Sequence, residues 1–344
     1  MMKALVLKEY NKFVYEDVPE PEFGPNEVLI QVKACGICGS DVHGMDGSTG
    51  RRIPPIIMGH EASGVIVRTG TGVQDFAEGD RVTFDSTIYC GTCYFCRRGE
   101  INLCDNRRVL GVSCDEYRQH GAFAEYVAVP QHILYRLPDT LSFERAAMVE
   151  ALSIAVHAAE ITPIALNDTA VVVGSGMIGL FVIQTLRAAG CGKIVAVDIE
   201  QRKLDLAKQL GADDGLRADQ IDVPEAVRQL SNQRGADIAF EVVGNTAAFT
   251  TALTSLKKGG ALTLVGNLSS KIDFPLQIAV TRQISVQGSC ASSGEYPACL
   301  DMIADGRINV DALMSKIAPL SEGAQWFNKA YHGEDELMKV ILTP

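Results

Sequence analysis

Residues 171–179 read VVVGSGMIG, and their reading decides the fold. A valine run feeds Gly174-x-Gly176-x-x-Gly179, and an amphipathic segment follows, so the stretch reads as a strand, a tight turn and a helix start. Asp198 closes the next β-like run, KIVAVD, at the distance a dinucleotide-binding βαβ unit requires. Each glycine has its own physical task. Gly174 permits the turn, Gly176 lets backbone approach a pyrophosphate, and Gly179 lets the helix lie close on its sheet. The N–H groups that open the helix, around Met177 and Ile178, attract phosphate charge. Asp198 can accept hydrogen bonds from both adenosine ribose hydroxyls and would repel a 2′-phosphate, so NAD is expected over NADP. Arg202 and Lys203, just beyond, are placed to soften that preference, although a solvated helix face is the plainer reading of Arg202.

Outward from this motif, apolar β runs alternate with amphipathic helices. TAVVVG leads to MIGLFVIQTLRAAG, KIVAVD to EQRKLDLAKQLG, and ADIAFEVVG to TAAFTTALTSLKKGG, with ALTLVG and ISVQGS closing the series. Continuous apolar strands between helices indicate a parallel sheet covered on both faces. The texture before Glu150 differs. EVLIQVKACG, SGVIVRTG, DRVTF and FAEYVAVP are short alternating runs ending in turn formers, the pattern of an antiparallel, barrel-like sheet. After Ser289 a helical stretch, YPACLDMIADGRI, precedes a terminal β run, ELMKVILTP, which is expected to return to the first sheet. At 344 residues two domains are the default. We expect a mainly-β unit over 1–150 and 289–344 and a doubly wound α/β unit over 151–288.

Composition narrows the function. A net charge of −11, with no basic run, excludes a nucleic-acid or anionic-membrane surface. No segment approaches the ~20 uninterrupted apolar residues that span a bilayer, and the opening MMKALVLKEYNKF lacks the apolar core of a signal peptide. A cytoplasmic location is therefore expected, where structural disulfides are rare. Ten cysteines in such a chain call for a metal explanation first.

Two constellations answer. Cys90, Cys93, Cys96 and Cys104 have the spacing C-x2-C-x2-C-x7-C. Four thiolates so spaced suit a closed tetrahedral zinc with no position left for substrate. An iron–sulfur cluster uses similar cysteines, but nothing else in the chain provides for electron relay. The second group is ACGICGSDVHG, with Cys38, Ser40, Asp41 and His43, together with His60 and Glu61 of MGHEASG and Glu150 of MVEALS. Cys38 and His60 are a mixed soft and borderline donor pair, with carboxylates available to complete the shell. Such a set keeps a coordination position open for chemistry.

The motifs GICGSDVH, GHEASG, GDRV, CGTCYFCRRGEINLC, GAFAEY and VVVGSGMIG stand in an order that resembles the zinc-containing medium-chain dehydrogenases, the alcohol dehydrogenase superfamily, over the whole length. The polyol branch (sorbitol or L-iditol, galactitol phosphate) looks nearest. The resemblance implies a GroES-like catalytic domain, a Rossmann domain, two zinc ions per chain, NAD, a small-molecule alcohol substrate and a homodimer or homotetramer. It makes Cys38 and His60 ligands of a catalytic zinc, with Glu61 and Glu150 completing or exchanging in the shell. Asp41 would orient His60, Ser40 and His43 would relay a proton, and Val265 and Gly266 would contact the nicotinamide. The implied reaction is oxidation of a secondary alcohol of a polyol, sugar acid or sugar phosphate by hydride transfer to NAD+. Oxidation of an amino alcohol acid such as threonine is the neighbouring alternative, and a non-catalytic NAD-binding redox sensor the distant one. Three departures weigh against sorbitol itself. Gly44 stands where sorbitol dehydrogenases carry tyrosine, Ala291 and Ser292 replace an Arg-Tyr pair, and Ala151 replaces the proline after the glutamate. Arg51 and Arg52 could meet a phosphate or carboxylate of the substrate, though a solvated loop is the plainer expectation. Cys290, after the last α/β strand, is the remaining cysteine nearest the expected cleft.

Overall fold

A computed structural model describes all 344 residues, which divide into two compact units, 1–150 with 296–344, and 151–295.

In the first unit the strand Glu27–Gly36 is central. It pairs antiparallel with Glu61–Thr69, with Tyr126–Pro130 and with the C-terminal strand Lys339–Thr343. The terminal β run thus returns to the first sheet, Ile341 opposite Gly36 and Leu342 opposite Cys35. Seven strands join this sheet, and a three-stranded sheet built on Met2–Glu9 stands with it. Alternation puts Val28, Ile30 and Val32 into a core shared with Leu5, Leu7, Ile66, Phe84, Phe123 and Phe327. This core anchors both ends of the candidate metal site, since Cys38 follows one central strand and His60 precedes the next.

The second unit is a six-stranded, all-parallel sheet. Its strands lie in the order Asp214–Arg217, Lys193–Asp198, Thr169–Val173, Ala236–Glu241, Leu256–Leu264, Ser285–Gly288. In chain order these are third, second, first, fourth, fifth and sixth, the doubly wound arrangement, whose order reverses beside the strand Thr169–Val173 that leads into Gly174. Val171, Val173, Val195, Val197, Phe249 and Leu253 fill the core on one face. One element differs from the sequence reading. Lys257, Lys258, Gly259 and Gly260, which read as the end of a helix, lie inside the strand Leu256–Leu264. The helix Thr246–Ser255 stops before them, and the strand slips register there against Ala236–Glu241. No helix is long and apolar enough to cross a membrane.

Candidate metal and dinucleotide sites

Cys38 caps the short helix Gly39–Gly44. The helix presents two faces: Ser40 and His43 are exposed, whereas Asp41, Val42 and Gly44 are buried. His60 and Glu61 arrive from the neighbouring strand, 5 % and 1 % exposed. The donor atoms of Cys38, His60 and Glu61 lie within 4.8 Å of one another.

Every one of these groups is set by a buried charge network. Asp41 is fully buried and takes two N–H donors on Oδ1 from Arg52, Nε at 3.0 Å and Nη2 at 2.8 Å. Its Oδ2 stands 3.4 Å from His60 Nδ1, and neither atom has another partner. Burial pushes the Asp41 carboxyl up, but the charges of His60 and Arg52 outweigh it and hold the group well below the usual carboxylate range. Burial disfavours charge on His60, yet Asp41 and Cys38 raise its pKa well above the ordinary imidazole value. The surroundings therefore favour positive charge at this point. On the other side Lys339, 3 % exposed, donates to Glu61 Oε2 and, at 3.1 Å, to the Ile37 carbonyl. Glu61 Oε1 is buried with no partner.

Glu150 stands outside the three-residue donor set. Its Oε1 accepts from Ser86 Oγ at 3.4 Å. Burial drives the Glu150 carboxyl up to about 7, with Glu61 adding to the rise and His60 and Lys339 opposing it. A cavity of about 170 Å³ opens beside His43, bordered by Val42, Glu334, Leu337 and Val340.

The residues fit a bound divalent ion on their own geometry. A soft sulfur, an imidazole and a carboxylate oxygen without a partner converge where the field favours a cation, which is a donor set suited to zinc. The second group fits a closed ion equally well. The sulfurs of Cys90, Cys93, Cys96 and Cys104 lie within 4.8 Å of one another, and all ten cysteines are free of disulfides. Two short 3₁₀ turns, Cys96–Arg98 and Ile101–Leu103, fold the loop back on itself. N–H donors reach the sulfurs: Cys90 N and Asn106 N to Cys104 Sγ, both at 3.3 Å. Hydrogen bonds from Thr92 and Asn106 pull the Cys90 thiol down to about 5, favouring the thiolate that binds metal.

In the second unit the three glycines differ in what demands them. Gly174 has φ +101°, which only glycine adopts easily, and a Cβ on Gly179 would lie 1.8 Å from the Gly174 carbonyl oxygen. At Gly176 neither reason applies, because a Cβ there would meet no protein atom within 4 Å. That open space is the cradle a pyrophosphate would use. The helix Met177–Ala188, which holds Met177 and Ile178 in its first turn, begins at this point. Asp198 accepts from Ser175 N at 2.8 Å through Oδ2, and from Ile199 N and Glu200 N at 2.8 and 3.0 Å through Oδ1. It thus ties the glycine turn to the following strand end while keeping acceptor capacity. Val265 and Gly266 leave the strand Leu256–Leu264 with both N–H groups on the Glu241 carbonyl, 2.8 and 3.0 Å.

The sequence did not show which partners engage the charges around these sites. Arg52 is neither solvated nor free for substrate, because it is 4 % exposed and engaged with Asp41, whereas Arg51 is exposed. Lys203 pairs with Glu200 at 2.6 Å. Arg217, one strand over and in register with Asp198, pairs with Asp219 at 2.7 Å. Cys290 is exposed. Lys339 had one signal, a lone charge inside the apolar run LMKVILT.

Comparison with known proteins agrees with both halves. Residues 24–139 match the alcohol dehydrogenase GroES-like domain and residues 178–305 the zinc-binding dehydrogenase domain. Sorbitol dehydrogenase of Bacillus subtilis is 33 % identical, the alignment covering 100 % of this chain and 97 % of that protein. D-arabitol-phosphate dehydrogenase of Enterococcus avium is 33 % identical over 97 % and 95 %. A crystal structure from Sinorhizobium meliloti 1021, assigned as a zinc-binding dehydrogenase and bound to NADP, superposes with a TM-score of 0.92 at 31 % identity, covering 100 % of this chain and 99 % of that one. With a GroES-like unit carrying a cysteine–histidine–carboxylate donor set and a Rossmann unit carrying the glycine fingerprint, this chain belongs to the zinc-binding alcohol dehydrogenase family and is an oxidoreductase that uses zinc and a nicotinamide cofactor on a small-molecule alcohol.

Proposed function

We propose that the chain oxidises a secondary alcohol of a polyol, sugar acid or sugar phosphate with NAD+. The observation that carries this reading is the buried convergence of Cys38, His60 and Glu61 beside a helix that exposes Ser40 and His43. In this reading the first unit holds two zinc ions. Cys38 and His60 hold one, with Glu61 or Glu150 completing its shell, and Cys90, Cys93, Cys96 and Cys104 hold the other. The second unit binds the dinucleotide through Gly174, Gly176, Gly179 and Asp198, with Val265 and Gly266 at its nicotinamide end.

When bound, zinc would supply Lewis acidity that favours loss of the alcohol proton, and the dinucleotide would supply the hydride acceptor. The chain's own residues do the rest. Asp41 fixes the His60 tautomer by accepting from Nδ1, so that Nε2 is the donor atom. Ser40 takes the proton of the substrate hydroxyl, and His43, exposed on the same helix, passes it outward. Four thiolates around a closed ion would hold their loop in shape without entering the reaction.

The preference for NAD rests on Asp198. Its carboxylate charge opposes a 2′-phosphate, and two nearby cations, Lys203 and Arg217, are each engaged by a carboxylate. A homodimer or homotetramer suits the unpaired outer edge of Ser285–Gly288 and the exposed Leu276 and Val280, 64 % and 69 % accessible. Ten free cysteines suit a reducing cytoplasm.

The test is NADH formation from neutral polyols, polyol phosphates, aldonates and threonine. A polyol-class substrate turning over best supports the proposal. Threonine alone doing so, or none despite full zinc occupancy, overturns it.

A further inference from the structure

We infer that Arg52 is the positioning residue of the candidate zinc site, one guanidinium bracing both Cys38 and His60, and that Gly44 is glycine to make room for it. This rests on the proposed reading that Cys38 and His60 hold zinc.

The guanidinium of Arg52 is almost fully used. Nε and Nη2 both reach Asp41 Oδ1, at 3.0 and 2.8 Å. Nη1 donates to the Arg51 carbonyl at 3.0 Å, and Nη2 also reaches Ser40 Oγ at 3.4 Å. Two chains of contact leave this one group. Along the first, both donors to Asp41 fall on Oδ1, so Oδ2 is left to His60 Nδ1 alone. The imidazole is thereby held with its proton on Nδ1 and its lone pair on the metal side. Along the second, Ser40 Oγ accepts from Arg52 and donates to Cys38 Sγ at 3.3 Å. Occupying one Ser40 lone pair from behind aims its O–H at the sulfur and leaves the second lone pair to accept. A lysine cannot substitute, because a single ammonium lacks the planar fork that meets Asp41 and Ser40 together.

Gly44 completes the arrangement. It sits in a right-handed helix and its backbone does not require glycine. A Cβ there would lie 2.7 Å from Arg52 Cγ and 3.2 Å from Thr49 Oγ1. The residue that departs from the sorbitol-dehydrogenase pattern is thus coupled to Arg52. A side chain at 44 would crowd the Arg52 stem and force it to shift from the path that carries the guanidinium to Asp41.

The experiment uses full-length, zinc-loaded protein with Arg52→Lys, Gly44→Ala and, as a control, the exposed Arg51→Ala. Arg52→Ala is avoided, since it leaves Asp41 buried without its cation and risks misfolding. Metal loss to a competing chelator is followed at each zinc, the four-cysteine ion serving as internal reference. The visible spectrum of the cobalt-substituted protein reports ligand geometry directly. In Arg52→Lys, affinity at the Cys38–His60 zinc should fall about 10- to 100-fold. The four-cysteine zinc should not change, the cobalt spectrum should shift, and kcat should drop with the KM for NAD+ unchanged. Gly44→Ala should move the same readouts in the same direction by less, and Arg51→Ala should leave metal affinity and the cobalt spectrum unchanged. A folded Arg52→Lys protein with wild-type metal affinity and cobalt spectrum overturns the inference. If the metal readouts respond while the wild-type protein oxidises no alcohol, Arg52 keeps its assignment and the proposed reaction is the part that fails.

Discussion

Replacing Lys339 with methionine tests the electrostatics of the metal site. The Lys339 side chain is 3 % exposed, and its ammonium is the direct partner of Glu61, itself 1 % exposed. The substitution keeps the length and most of the apolar stem but leaves Glu61 Oε2 and the Ile37 carbonyl without their donor. Removing one member of a buried ion pair costs about 3–5 kcal/mol, mostly the penalty of the uncompensated charge that remains. For a unit of about 200 residues this corresponds to a fall in Tm on the order of 10 °C in metal-free protein. Zinc at Cys38 and His60 supplies positive charge beside the same carboxylate, so the cost should shrink when the site is loaded. If the cost halves, to about 2 kcal/mol, linkage requires the variant to bind that zinc about 30-fold more tightly relative to wild type. The assay is thermal unfolding of wild type and Lys339→Met, each metal-free and zinc-loaded. Loss of the four-cysteine zinc on chelation affects both proteins alike and cancels. An equal loss in the two states, or a loss below about 1 kcal/mol in the metal-free one, would refute the reasoning.

Three further outcomes follow from the same geometry. Cys93→Ser should lower the zinc content from two ions to one per chain and reduce thermal stability, as metal analysis and a melting curve would show; a variant that still holds two ions contradicts the assignment of the four-cysteine site. Tyr296→Phe should be close to neutral or slightly stabilising in denaturant unfolding, because the buried Tyr296 hydroxyl has no hydrogen-bond partner while its ring stacks on Tyr135 at 4.8 Å. A loss above about 2 kcal/mol would mean that the hydroxyl is in fact satisfied. Asp198→Ala removes an acceptor shared by three backbone N–H groups and should raise the KM for NAD+ about tenfold or more while lowering the ratio of NAD+ to NADP+ use. Unchanged values for both cofactors would remove Asp198 from the ribose site.

The parts of the protein that were legible in the sequence are those whose constraints are local. VVVGSGMIG carries its turn, its close helix–strand approach and its open cradle within nine residues, and the parallel sheet around it follows from unbroken valine and isoleucine runs. The four-cysteine loop likewise closes on itself over a short span. The charges that govern the Cys38–His60 site are not local. Lys339 meets Glu61 across 278 positions, and Arg52 reaches Asp41 only because the loop after Gly44 turns its side chain inward. A single arginine next to another, in STGRRIPP, gives no hint that one faces solvent and its neighbour is buried. The Lys257–Gly260 stretch misled for the opposite reason. Two lysines and two glycines look like the end of a helix, yet they lie between Leu256 and Ala261, which both pair with Ala236–Glu241, so the flanking ladder carries the stretch as a slip inside one strand.

The central claim is that a zinc held by Cys38 and His60 is needed for alcohol oxidation with NAD+. Its most direct measurement is the NADH-forming rate of protein stripped by chelation, with zinc removal confirmed by metal analysis, and then titrated with zinc. The account predicts a rate near zero after stripping, restored in proportion to occupancy of the Cys38–His60 site. Full activity in protein confirmed to be free of zinc would contradict it.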